Sequence, residues 1–430
     1  MGKYKIGFSK VVISPPLFTP LAGYEYERFA KDIHDDLYAR VITIKGEDTF
    51  ILVELDLVCV DKCFINLLSE GINKVYKVKE ENIVVNCIHT HSGPGGIINT
   101  EDSNNKGFRY IFSQYDFVLV NYMVRQIISG VSKSFNNLDE FTLAYGSSIV
   151  DGIGLNRRDR LAPMDKQLET LTFYRNDGKK IIIYNYQCHP TVMNKFNCFI
   201  SADYPGETSR LLESEGDVVL AIFYNGHCGD VSTRFTRKES SFKEVKRIGD
   251  ILGGEVIKLF NQDNAYKDLE EISLKTLNID LKVKYFPPDE ELKSLMKEAQ
   301  EKLNVAVSNG ISGGQLRIYQ SIVEGFSNSI HFAEGFRGID NITAEIKVLK
   351  MNNNFIVYIP GELFTSLGLK IKNSVHDKNI LVSCYSNGYI GYIADIEAFK
   401  NGGYESSSTP LKEGEGEKLI EKIISAIKSM

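Results

Sequence analysis

An apolar run that stops abruptly constrains this chain more than any other feature. Residues 83–88 read Ile-Val-Val-Asn-Cys-Ile and pass at once into His89-Thr90-His91-Ser92-Gly93-Pro94-Gly95-Gly96. A short β-branched run reads as a buried strand, and one that empties into a glycine-rich turn puts polar side chains at the end of a sheet, where α/β proteins build sites. Strand period two would point His89 and His91 to the same side, so that both face one metal, or one binds while the other handles protons. The plainer reading of an isolated His-x-His is that both rings satisfy backbone carbonyls.

Three further strand ends shift that balance. The run 181–187 ends in Cys188-His189-Pro190, 218–224 ends in Asn225-Gly226-His227-Cys228-Gly229-Asp230, and 355–359 ends in Pro360-Gly361-Glu362. If those ends converge, two histidines and a carboxylate supply the donors that a catalytic zinc ion takes while keeping one position open. Glu362 alone would equally suit the N-terminus of a helix.

The remaining pattern predicts a mixed α/β (α+β) architecture of several sheets packed with helices. A hairpin is expected over 38–58 around Gly46-Glu47-Asp48, with a helix over 61–76, and another hairpin over 171–187 around Asn176-Asp177-Gly178. Apolar residues at three- and four-residue steps predict helices over 289–303 and at the C-terminal end. Residues 308–341 are rich in Gly, Ser and Asn and read as a long loop or lid over a pocket. No repeat or linker divides the chain, so residues 1–430 read as one domain.

Composition excludes several classes. The charged fraction is 25%, the formal net charge is −6, and the two signs are interleaved, so no nucleic-acid footprint is present. There is no transmembrane run and no signal-like start, which points to a cytoplasmic protein. The seven cysteines are widely scattered, without disulfide or zinc-site spacing, and read as small buried apolar residues.

On these residues the chain resembles the catalytic domain of the neutral, non-lysosomal ceramidases, zinc amidases that split the N-acyl bond of ceramide. The eight-residue string His89 to Gly96 carries most of the likeness. Weaker matches follow in family order: Ile13-Ser14-Pro15-Pro16, Asp36-Leu37-Tyr38-Ala39-Arg40, Asn156-Arg157, Gly229-Asp230-Val231-Ser232, Pro360-Gly361-Glu362, Tyr389-Ile390-Gly391-Tyr392 and Tyr404-Glu405. The resemblance implies zinc held by His89, His189, Glu362 and Tyr392. Tyr392 is preferred to Tyr389 because its twelve-residue distance to Tyr404 matches the family spacing. It also implies His91 as proton handler, Arg157 and Tyr404 as donors to the developing oxyanion, and Ser232 at the active site, with Asp230 either supporting a histidine or stabilising its turn.

The departures are Thr233-Arg234 where the family usually has Pro-Asn, and Gly226-His227-Cys228, which leaves His227 without a role. By the resemblance, the chain is expected to lack the family's C-terminal immunoglobulin-like domain and its secretion signal. The expected activity is therefore hydrolysis of a linear N-acyl amide, ceramide or a smaller N-acyl compound, by metal-activated water. The rivals are a serine hydrolase using Ser232 and a non-catalytic lipid- or sugar-binding relative.

Overall fold

Gly46-Glu47-Asp48 turns the chain between two runs of apolar residues, and strands Tyr38–Lys45 and Thr49–Leu55 pair antiparallel with Arg40 opposite Glu54. The computed structural model describes residues 3–25, 27–102, 105–262 and 266–430. Lys5–Val12 flanks the hairpin on one side, and Ile83–Cys87 lies parallel to it on the other. A second group, Asp139–Ile149, Gln167–Arg175, Lys180–Tyr186 and Val218–Asn225, with the two-residue strand Lys267–Asp268 paired to Asp139–Ile149, completes a sheet of nine strands among the described residues. Among the described residues the two groups pair as strands only where Lys5 meets Glu140 and Ile6 meets Asp139.

So slender a join lets the halves fold toward each other. Ile6, Ile42 and Leu52 of one half share a buried cluster with Phe173, Ile183 and Ile222 of the other and with Leu349, Ile356 and Leu381 of a separate four-stranded sheet. Burying each such side chain stabilises the fold by ~1.5–3 kcal/mol. Helix Phe117–Phe135 packs on the outer face of the first half, with Lys62–Tyr76 against it. Helices Asp203–Glu213 and Phe242–Phe260 cover the second. The architecture is the expected mixed α/β one. Among the described residues no helix is long and apolar enough to cross a membrane.

Residues 308–341 depart from expectation. In place of a loop, helix Gly313–Phe336 runs for 24 residues and is followed by strand Asn341–Met351. Within the helix, Gly314, Gly325 and Gly335 lie at packing contacts: a Cβ on Gly325 would stand 3.1 Å from the Cα of Tyr404. Each mid-helix glycine costs ~1 kcal/mol, which close packing offsets. Composition could not distinguish a helix that packs through its glycines from a loop.

One motif segment proves structural. Arg40 is fully buried and donates to Glu54 at 2.9 Å and Asp56 at 2.7 Å. Burial outweighs the attraction of this single guanidinium and raises the Glu54 carboxyl from 4.5 to about 8. Between those values the folded state holds a proton that the unfolded chain has lost, so stability should fall as pH rises through that window. Urea unfolding at pH 5 and pH 8 should show that slope in the native chain, and Glu54→Gln should flatten it. Arg40→Met, which strands two buried carboxyl groups, should cost ~3–5 kcal/mol in the same experiment.

Candidate metal centre and active site

Strand Ile83–Cys87 ends two residues before His89, which takes a left-handed φ of 72°. The chain has already left the extended form, so strand periodicity does not align the two histidines. The turn does so instead, bringing His91 Nε2 to 3.2 Å from His89 Nε2. His189 arrives from the other half of the sheet, past strand Lys180–Tyr186, and bridges in parallel to Ser232. Glu362 comes from the four-stranded sheet, beyond strand Asn354–Tyr358, and is the register partner of Tyr392 in a two-residue parallel ladder.

These elements meet at one buried point. Glu362 Oε2 lies 2.9 Å from His189 Nε2 and 3.6 Å from His89 Nε2, and the Tyr389 hydroxyl donates to Glu362 Oε1 at 2.5 Å. The far sides of two rings are fixed by the main chain. His89 Nδ1 donates to Val58 O at 2.8 Å, and His189 Nδ1 faces Cys228 O at 2.8 Å and Val231 O at 3.0 Å. With hydrogens on both Nδ1 atoms, both Nε2 lone pairs point at a carboxylate oxygen. Acceptors then crowd acceptors, an arrangement that a cation between them satisfies.

Electrostatics favour the ligand forms. Burial pushes His89 down to about 3, keeping it neutral. Burial alone would raise Glu362, but His89, His189 and Arg157 outweigh it and hold the carboxyl at about 2. Neutral imidazole and ionised carboxylate are the states a divalent metal takes. The buried donors of His89, His91 and His189 all lie within 4.8 Å of one another, so this group can hold a metal ion.

His91 differs from the other two. Its Nδ1 is buried and has no hydrogen-bond partner among the described residues. Gly23, at a φ of 92°, presses its backbone against the ring, and a Cβ there would stand 2.6 Å from Nδ1. Burial, followed by His89 and His189, lowers its basicity well below the ordinary value.

Arg157 is held by its own main chain, whose N–H donates to Asp230 O at 2.7 Å. Its guanidinium donates to Tyr392 Oη at 2.9 Å, Gly229 O at 2.9 Å and Glu405 Oε1 at 2.8 Å. It lies 5.5 Å from the Tyr392 ring and 5.8 Å from that of Tyr404. The Ser232 hydroxyl accepts from Arg234 N at 3.3 Å, and no histidine hydrogen-bonds it among the described residues. Asp230 accepts from Thr365 and Asn156, so it stabilises its turn and leaves His189 to the carbonyls of Cys228 and Val231.

Two residues fall outside the sequence reading. His227 is fully buried away from the cluster, with Nε2 3.1 Å from Asp165 and the backbone of Gly368 against its ring. Thus three of the four strand ends bring a side chain to the cluster, and the fourth brings the carbonyls of Cys228 and Gly229 while its histidine braces the core. Glu405, quoted only as part of a motif, is buried and pairs with both Arg157 and Arg158. A carboxylate beside a motif tyrosine was the available signal, but only the fold shows the distant arginines it pairs with.

A cavity of about 460 Å³ opens over His91, Arg157, Ser232, Tyr392 and Tyr404. A slot of about 30 Å³ reaches His89 and Glu362 between Phe108, Phe112, Phe332 and Tyr389. Helix Gly313–Phe336 contributes to both, so the segment expected to cover a pocket does so as a helical wall.

Residues 4–243 match the family model described as neutral/alkaline non-lysosomal ceramidase, N-terminal. The chain is 25% identical over 256 residues to neutral ceramidase 2 of Arabidopsis thaliana, covering 54% of this chain and 32% of that protein. It is 23% identical over 261 residues to the neutral ceramidase of Oryza sativa subsp. japonica, covering 55% and 32%. The matched stretch therefore spans about a third of the length of these curated relatives. Among solved structures, the neutral ceramidase from Pseudomonas aeruginosa superposes with a TM-score of 0.78 at 18% identity, over 99% of this chain and 74% of that one. A ceramidase complexed with C2 superposes with a TM-score of 0.77 at 16% identity, over 100% and 76%. With the family match spanning more than half of the sequence and the fold in agreement throughout, the chain belongs to the neutral/alkaline non-lysosomal ceramidase family.

Proposed function

We propose that this chain is a zinc-dependent amidohydrolase that cleaves a linear N-acyl amide, with residues 1–430 as one catalytic domain. The observation that carries the proposal is the facing of the His89 and His189 Nε2 lone pairs onto the Glu362 carboxylate. Two nitrogens and one oxygen favour zinc over magnesium or calcium. His89, His189 and Glu362 hold the ion, and Tyr392, the register partner of Glu362, completes the set. Zinc bound here would let a water molecule attack an amide carbonyl near neutral pH.

The protein's own groups supply the rest. His91 lacks the carbonyl lock of the ligand histidines and stands beside them, so it is the group free to accept the proton of the attacking water and pass it to the leaving nitrogen. Arg157, oriented by Glu405 and Gly229 O, and the Tyr404 hydroxyl face the cavity and donate to the carbonyl oxygen as charge develops on it. Ser232 serves as a wall of the cavity. A serine nucleophile needs a base at its hydroxyl, and that hydroxyl accepts from a backbone N–H instead.

The relatives are named for ceramide cleavage, and ceramide is one candidate substrate. The polar character of the larger cavity and the small volume of the aromatic slot support a smaller N-acyl compound.

Zinc titrated into metal-free protein should bind at one site per chain and restore amide hydrolysis; hydrolysis at full rate by chelated protein would sink this reading. His189→Ala should lose the metal, whereas His91→Ala should retain it and lose a factor of ~10²–10⁴ in kcat. Ser232→Ala should keep most of the rate, separating this mechanism from a serine one. Gly23→Ala, by displacing the His91 ring, should lower kcat by ~10²-fold with zinc content unchanged, measured by metal analysis alongside kinetics.

A further inference from the structure

The large cavity beside the metal centre is strongly cationic in a chain whose formal net charge is −6. Its wall carries five basic side chains, those of Arg157, Lys195, Arg234, Arg237 and Arg317, against the two carboxylates Glu25 and Glu324. Internal pairing does not neutralise it. Glu405 is shared between Arg157 and Arg158, and Glu324 is shared between Arg317 at 2.5 Å and Lys195 at 3.6 Å.

Arg234 and Arg237 have no acidic partner among the described residues. Arg234 Nη1 donates to the carbonyl of Arg157 at 3.0 Å, and Arg237 Nη1 donates to that of Thr191. Arg317 Nη1 is buried without a hydrogen-bond partner. Burial, followed by Arg157 and Arg317, pushes Arg234 down to about 10, the mark of like charges gathered in a partly enclosed space. Such a gathering costs stability unless an anion completes it, and guanidinium groups match the planar geometry of oxyanions.

We propose that Arg234, Arg237 and Arg317 form an oxyanion-binding subsite, so that the portion of the substrate occupying this cavity carries a carboxylate, sulfonate or phosphate group. The inference rests on the amide-hydrolase reading and narrows its substrate class. Water adds across the C–N bond, its hydroxyl going to the acyl carbon and its proton to the nitrogen, and the released amine keeps the anionic group. Arg237 is a specificity residue on the cavity wall and takes no part in bond cleavage.

The test uses zinc-loaded full-length protein and two matched pairs: N-acetylalanine with its N-methylamide, and N-acetylphosphoethanolamine with N-acetylethanolamine. In at least one pair the anionic member should be preferred in kcat/KM by about tenfold or more, the scale of one charge-assisted hydrogen bond. The favoured pair identifies carboxylate or phosphate as the source. Arg237→Gln should collapse that ratio toward one while leaving the rate on the neutral member unchanged, and Arg237→Lys should restore part of it. Equal rates within both pairs, or a ratio indifferent to Arg237→Gln, would overturn the anion subsite and leave the hydrolase reading intact. If no compound is cleaved, calorimetric binding of the same four compounds decides the question: anion-selective binding lost in Arg237→Gln sustains the subsite while the hydrolase reading falls, and no selective binding overturns the subsite as well.

Discussion

The carboxylate of Glu362, set between the Nε2 atoms of His89 and His189, is the contact on which the site depends. The three residues belong to different parts of the fold: one to each half of the large sheet and one to the segment that leaves the four-stranded sheet. A buried carboxylate is expensive without partners. Here Tyr389 donates to one of its oxygens, while the other faces two rings whose far nitrogens are already fixed by backbone carbonyls, so the facing nitrogens are preorganised around a space suited to a cation. The geometry therefore comes from main-chain packing, which is harder to disturb than a set of side chains on mobile loops.

That rigidity also explains how the surroundings are divided. The ladder that pairs Glu362 with Tyr392 sets a phenol beside the carboxylate, and the ladder pairing Val231–Ser232 with Leu155–Asn156 sets Arg157 beside the phenol. Helix Gly313–Phe336 closes the space above, pressed close enough to Tyr404 that Gly325 leaves little room for a side chain. The result is two neighbouring spaces of different character: an aromatic slot at His89 and Glu362, and a cationic cavity over His91 and Arg157.

Much of the fold was legible because it follows from local pattern. The hairpin around Gly46-Glu47-Asp48, the helix ending at Tyr76 and the helix Asp289–Ser308 all arise from periodicity and turn chemistry, which act over a few residues. The helix Gly313–Phe336 was misread because its glycines answer to a neighbour distant in sequence, and no local rule registers that neighbour. His227 shows the converse: it ends a strand as His189 does, yet its ring turns to Asp165 in the core.

By itself the sequence determined which residues could do chemistry and on which strand ends they would lie, because apolar runs, breakers and donor types are local properties. It carried the family likeness for the same reason, in the string His89 to Gly96. Only the tertiary structure decided which of those ends meet, which histidines are locked and which is free, and how charge gathers in the cavity. Those outcomes depend on distances between residues as far apart as His89 and Glu362, and such distances are set by how the two sheets pack and nowhere in the linear pattern.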